Sequence, residues 1–261
     1  MPENGTIKRK TAKKRKRIPV GAALVLMAIG VIAGMLLGIA GKQVVHSLVV
    51  SASIRQENGV LAAENGFDAA EKGWNLILVN PWNPLPEEYQ VTLARLRNGH
   101  AVDQRCYPDL QEMMDDCRAA GLNPLICSSY RSRENQETLF QNKVNRLISQ
   151  GYSKESAEVE AGKSVAVPGT SEHQLGLAVD IVDVSNQNLD ETQEKTAVQK
   201  WLMDNSWRYG FILRYPNQKS NVTGIIYEPW HYRYVGKEAA KEIYESGRCL
   251  EEYLNQRQEE S

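Results

Sequence analysis

Histidine and cysteine are scarce in this chain of 261 residues, with four of each. The cysteines are Cys106, Cys117, Cys127 and Cys249, and their spacing matches no zinc ribbon or knuckle. They admit three full disulfide pairings, and the sequence does not choose among them. The helical H-E-x-x-H signature of the zincins is absent. So are internal repeats and any low-complexity tract beyond one basic block.

That block, residues 8–17 (KRKTAKKRKR), holds eight Lys or Arg and no acid. Residues 18–40 (IPVGAALVLMAIGVIAGMLLGIA) hold no charge at all. A bilayer core needs about 20 apolar residues in a helix, so this run predicts one transmembrane helix. Basic residues on its N-terminal side predict a cytoplasmic tail over 1–17 and an extracellular remainder. The rival is a cleaved signal peptide. Its apolar region is usually about 7–15 residues long, and the length here favours an uncleaved anchor, although residues 37–41 (LGIAG) offer small residues for cutting. Residues 1–17 contribute +7 to a net charge of −1, which leaves −8 beyond them. An acidic exterior domain excludes nucleic acid as a natural partner. Membrane contact is expected through the N-terminal helix.

Residues 41–73 read as a stalk and 74–261 as the globular domain. Residues 76–79 (LILV) suit a buried strand. Pro81, Pro84 and Pro86 then impose an extended loop. Leu110, Met113, Met114, Cys117 and Ala120 recur at helical spacing before Gly121. A strand is expected over 124–128, and helices over 133–150 and 152–162. Residues 175–182 alternate, with Leu177, Val179 and Ile181 on one face and Gly176, Ala178 and Asp180 on the other. A helix over 191–209, strands at 211–213, 224–227 and 232–235, and a tail helix over 237–256 complete the reading. Without regular βαβ alternation this predicts an α+β fold, a small central antiparallel sheet flanked by helices, preceded by the transmembrane helix.

Chemistry concentrates in two places. His173 precedes the alternating strand, and Asp180 projects from its sparse face. A buried carboxylate needs a partner, because an unpaired buried charge is costly. Asp180, His173 and the distant His231 would give zinc two imidazoles and a carboxylate with one position open, the pattern of a catalytic site. Glu228, three residues before His231, would then serve as a base beside the metal. Pro229 interrupts any alternation between Glu228 and His231. Two histidines and two acids spread over 173–231 also occur without a metal, and spacing alone leaves both readings open. Residues 128–132 (SSYRS) mark a strand-to-helix junction whose hydroxyls can cap the helix. Arg131 there suits either a substrate carboxylate or oxyanion, or a surface salt bridge.

Taken together these segments resemble the VanY-like zinc D-Ala-D-Ala carboxypeptidases. The resemblance rests on Ser171-x-His173-x-x-Gly176-x-Ala178-x-Asp180, Glu228-x-Trp230-His231, Ser129-Tyr130-Arg131-Ser132 and the opening Leu78-Val79-Asn80…Asn83-Pro84-Leu85-Pro86. It covers roughly residues 74–247 and leaves out the anchor and stalk. It implies zinc held by His173, Asp180 and His231, Glu228 as base and then acid, and Arg131 at the substrate's terminal carboxylate and reacting carbonyl. Ser129, Ser132, Gln136 and Ser171 match family positions near the substrate. The implied reaction removes the C-terminal D-amino acid from peptidoglycan stem peptides outside the membrane. Two alternatives stand beside it, an L,D-carboxypeptidase acting on tetrapeptide stems and a non-catalytic zinc domain that binds wall fragments. The segment between Arg131 and His173 is long for a minimal domain of this type, which bears on substrate length.

Overall fold

The computed structural model describes residues 73–259. The expected tail (1–17), transmembrane helix (18–40) and stalk up to residue 72 lie outside the described residues. Among the described residues no helix is long and apolar enough to cross a membrane.

The fold is α+β. A hairpin of β1 (Leu93–Arg95) and β2 (Ala101–Asp103) leads into α1 (Tyr107–Ala119). Then come β3 (Pro124–Ser128), α2 (Arg133–Ser149) and α3 (Lys154–Gly162). A 3-10 turn, Glu172–Leu175, precedes β4 (Ala178–Asp183). The rest is α4 (Ala197–Asn205), β5 (Phe211–Leu213), the short α5 (Ser220–Thr223), β6 (His231–Tyr234), α6 (Lys237–Ser246) and α7 (Leu250–Glu259). The central sheet has the order β3-β4-β6-β5, every pair antiparallel.

The core lies on one face of that sheet. Leu177, Val179 and Ile181 are buried there against Leu110, Met113, Met114 and Cys117 of α1. Each such side chain contributes about 1.5–3 kcal/mol by leaving water. Alternation sends Ala178 and Asp180 to the opposite face. Behind the sheet's β5 edge, Ala239, Ala240 and Ile243 of α6 and Leu250 and Tyr253 of α7 form a second cluster with Ile212. Helices α2 and α3 bury a small core of their own from Phe140, Val144, Leu147, Ala157 and Ala161. All four cysteines are free thiols.

Four local expectations are corrected. Residues 76–79 form no ladder: a 3-10 turn at Trp74–Leu76 runs into an extended segment. Ile77 and Val79 enter the main core, whereas Leu76 and Leu78 pack on the second cluster. The carbonyls of Asn75 and Ile77, which a ladder would have satisfied, accept from the Arg233 guanidinium at 3.1 and 2.8 Å. Residues 224–227 are not a strand either, because Gly224 ends α5 in the left-handed region at φ +78. The tail is two helices, parted at Gly247 (φ +66). The expected helix over 191–209 keeps α4 at its centre, with 3-10 turns on both sides.

Gly176 closes the 3-10 turn at φ +74, and a Cβ there would lie 2.9 Å from the backbone nitrogen of Asp103. Both the backbone conformation and the space demand glycine. Gly176→Ala is expected to destabilise the domain by about 1–3 kcal/mol. A urea midpoint equal to that of the parent chain would refute this.

Candidate active site

Asp180 and His231 are register partners on neighbouring strands, so their side chains leave the same face of the sheet. Asp180 also sits opposite Ser128, where the β3–β4 register shifts at a bulge. Beyond the bulge the chain brings the Ser129 carbonyl to His173 and the Arg131 side chain to Asp180. His173 arrives from the 3-10 turn before β4. Its carbonyl receives the Arg131 backbone N–H at 3.2 Å, which ties the two segments together. Glu228 and His231 are the first and last residues of a turn closed by His231 N–H donating to the Glu228 carbonyl at 3.1 Å. That turn, not strand alternation, brings Glu228 beside His231.

His173, Asp180 and His231 each offer an atom within 4.8 Å of the others, and all three are buried. His173 Nε2 lies 3.3 Å from Asp180 Oδ2, and His231 Nδ1 lies 3.1 Å from Asp180 Oδ1. The imidazole planes stand at 86°. His173 Nδ1 is 2.8 Å from the Ser129 carbonyl. A carbonyl only accepts, so Nδ1 carries the proton and Nε2 turns a lone pair toward Asp180. Asp180 Oδ1 makes no hydrogen bond of good geometry. The lone pairs of His173 Nε2 and of Asp180 thus converge with His231 Nδ1 on one buried point, an arrangement that a cation can occupy once His231 gives up its Nδ1 proton. The donor set, two imidazoles and one carboxylate, fits zinc with an open position.

Electrostatics follow from burial. Burial and Arg131 lower His173 to about 4 against the pull of Asp180, so its imidazole is neutral. Burial resists ionisation of Asp180, but the two histidines hold it well below the usual carboxylate range. Burial lowers His231 too, yet Asp180 and Glu172 outweigh it and raise it to about 9. An arriving cation would displace that proton from Nδ1. Burial pushes Glu228 up to about 8, opposed by His231 and Arg131 and aided by Asp180. Glu228 Oε2 stands 3.7 Å from His231 Nδ1, next to the cluster.

Arg131 is half-buried and reaches Asp180 Oδ2 at 3.9 Å. Its Nη1 donates to Gln136 Oε1 at 3.0 Å, and Gln136 Nε2 donates to the Ala166 carbonyl at 2.6 Å. Gln136 is 1% exposed, so it holds Arg131 from behind. The Ser129 hydroxyl accepts from Ala101 N–H at 3.1 Å, and the Ser132 hydroxyl caps α2 by accepting from Asn135 N–H at 3.3 Å. Ser171 is buried directly before the His173 turn. The structure thus brings His173, Asp180, His231, Glu228 and Arg131 together and gives Ser129, Ser132 and Gln136 supporting contacts. Glu172, Arg214, Arg233 and Glu251, buried behind His231, escaped the sequence reading; only the position of Glu172 between Ser171 and His173 hinted at a role.

A buried His-Asp-His cluster with a protonatable carboxylate beside it is the arrangement of a hydrolytic metal site. Residues 99–237 match the family model of VanY, D-alanyl-D-alanine carboxypeptidase. The chain is 48% identical over 200 residues to a D-alanyl-D-alanine carboxypeptidase of Enterococcus faecalis (strain ATCC 700802 / V583), covering 77% of this chain and 72% of that protein. Its structure is similar to that of VanYB in complex with D-alanine-D-alanine, with 50% identity and a TM-score of 0.65 over 70% of this chain and 98% of that one. It is also similar to a mutant of the vancomycin resistance D,D-pentapeptidase VanY in complex with Zn(II), with 50% identity and a TM-score of 0.64 over 69% and 99% of the two chains. The chain belongs to the VanY family of D-alanyl-D-alanine carboxypeptidases.

Truncating Gln136 leaves the Ala166 carbonyl and one face of Arg131 without their partner. Gln136→Ala is expected to cost about 1–3 kcal/mol, the usual penalty for orphaning buried polar groups. Equilibrium denaturation checks this, and an unchanged midpoint would contradict the contacts described.

Proposed function

We propose that the chain is a zinc-dependent D-alanyl-D-alanine carboxypeptidase that removes the terminal D-Ala from peptidoglycan stem peptides. The observation that carries this reading is the buried Glu228 carboxyl standing beside the convergent acceptors of His173, Asp180 and His231. Pure metal storage needs no such group.

His173 Nε2, one oxygen of Asp180 and His231 Nδ1 would hold the zinc. The ion supplies Lewis acidity, polarising the scissile carbonyl and acidifying water. With a cation's charge beside it, the Glu228 carboxyl would be ionised and would take the proton of the attacking water. The same carboxyl, raised by burial, then releases that proton to the departing amine of D-Ala. Arg131, braced by Gln136, presents its guanidinium to the terminal carboxylate of the peptide and to the negative charge that develops on the carbonyl oxygen. Ser129, Ser132 and Ser171 flank Arg131 and His173 in sequence, and their role would be to support the segments that carry those two groups to the peptide.

The family model and the E. faecalis relative support the D,D reading. An L,D-carboxypeptidase would employ the same zinc and base on a tetrapeptide. We further infer that residues 18–40 anchor the enzyme with residues 1–17 in the cytoplasm and the catalytic domain outside. The uncharged run and the basic block before it support this topology.

Glu228→Gln is expected to retain zinc while kcat/KM on a stem pentapeptide falls by about 10²–10⁴-fold, the range of general acid–base catalysis. Metal analysis and mass spectrometry of the peptide products read both quantities, and full activity in this variant would eliminate the mechanism. In the parent enzyme a chelator should stop release of D-Ala from the pentapeptide. Release from the tetrapeptide alone would favour the L,D alternative. Deleting residues 1–40 should move the active enzyme from the membrane fraction to the soluble fraction; activity that stays with the membrane would contradict the anchor.

A further inference from the structure

Behind His231 lies a buried group of four charges that neither the family's motifs nor the proposed chemistry uses. Glu172 is 1% exposed. Its Oε1 accepts from Arg214 Nε at 2.7 Å and from Arg233 Nη1 at 2.8 Å. Arg214 in turn grips Glu251 of α7 with two bonds, Nη1 to Oε2 at 2.8 Å and Nη2 to Oε1 at 2.6 Å. Glu251 Oε1 also accepts from Asn80 Nδ2 at 3.1 Å. Glu251 and Asn80 both lie outside the stretch matched by the family model, residues 99–237.

The remaining oxygen, Glu172 Oε2, is buried without a hydrogen bond, and so is His231 Nε2. The two face each other at 3.6 Å. That gap is too small to admit a water. A shift of about half an ångström brings it to hydrogen-bond distance.

We propose that Glu172 is a positioning residue for His231, accepting its Nε2–H so that Nδ1 keeps a lone pair for the metal, and that Arg214 and Glu251 hold Glu172 in place. The inference rests on the zinc reading of the site. A ligating imidazole whose second nitrogen donates to a carboxylate is fixed in tautomer and orientation and is a stronger base toward the metal. His173 has the Ser129 carbonyl for that purpose, and Glu172 does the same for His231 from the opposite side. The two arginines occupy Oε1 and leave Oε2 as the one oxygen free for the imidazole. The C-terminal helix thereby acts on the metal site through Glu251, Arg214, Glu172 and His231.

In Glu172→Gln the amide oxygen remains with the arginines and the amide N–H turns to His231. It would meet Nε2 as a donor and favour the tautomer with a proton on Nδ1, in competition with the metal. The test measures zinc affinity of the full chain by competition with a chromophoric chelator, together with the visible spectrum of the Co(II)-loaded chain. Neither readout needs a peptide substrate. Glu172→Gln is expected to weaken zinc binding by about 10–100-fold and to shift the Co(II) bands. Glu251→Gln should move both in the same direction by less. A variant that is merely less stable melts earlier but keeps the parent bands. A folded Glu172→Gln with parental affinity and bands overturns the proposal. If that variant does not fold, Glu251→Gln decides, and parental values there overturn it equally. A parent chain that binds no zinc would instead overturn the functional reading on which the inference stands.

Discussion

The ion pairs of Glu172 with Arg214 and Arg233 are the constraint on which the site depends. Burying four charges costs several kcal/mol per ion before any attraction is counted. Well-packed apolar residues of similar volume could serve stability as well, so stability does not explain the network. What it fixes is position. Arg233 lies two residues after His231 on β6 and also binds the carbonyls of Asn75 and Ile77. Arg214 follows β5, and its backbone N–H donates to the His231 carbonyl at 3.1 Å. Glu172 is adjacent in sequence to His173. One carboxylate thus locks the turn that carries one imidazole to the strand that carries the other. Burial opposes ionisation of Glu172, but the arginines hold its carboxyl far below the usual range. The clamp is therefore fully formed above the unfolded carboxylate pKa and weakens only as the pH falls below it.

The second constraint is register. Asp180 opposes His231 across β4 and β6, and Ser128 opposes Asp180 across β3 and β4. A one-residue slip of β4 would send Asp180 into the apolar layer and Val179 or Ile181 into the site. Leu177, Val179 and Ile181 forbid this slip by their burial under α1. The hydrophobic face of β4 and the chemical face are two consequences of the same pleat.

The alternation of 175–182 and the helical spacing of 110–120 were legible because burial on one face leaves a period in the sequence. The convergence of His173, Asp180 and His231 was legible as a possibility from the scarcity of histidine and the small residues around Asp180. The segment 76–79 misled because its four apolar residues serve two clusters, and a side chain replaces the neighbouring strand as partner of its carbonyls. Gly224 and Gly247 could have been read as breaks, but a lone glycine does not reveal the sign of φ. Glu172, Arg214, Arg233 and Glu251 were invisible for a deeper reason. Charged residues are read as surface unless paired, and their partners are brought together only by the tertiary fold.

The site divides its labour between rigid and bent backbone. Asp180 and His231 stand on the two central strands, where ladders on both sides hold them. His173, Glu228 and Arg131 come from a 3-10 turn, a closed turn and the exit of a bulge. A strand presents a side chain every second residue along one line, which suits two ligands facing each other but cannot supply groups that approach from other directions. The non-strand segments add those directions, and each is then pinned by a backbone hydrogen bond: Arg131 N–H to His173, His231 N–H to Glu228, Glu228 N–H to Tyr215. Gln136 and Glu172 complete the pinning at the side-chain level. Groups that must exchange protons or grip a peptide need placement within about half an ångström. Here that precision comes from hydrogen bonds that close the turns onto the sheet rather than from the sheet itself.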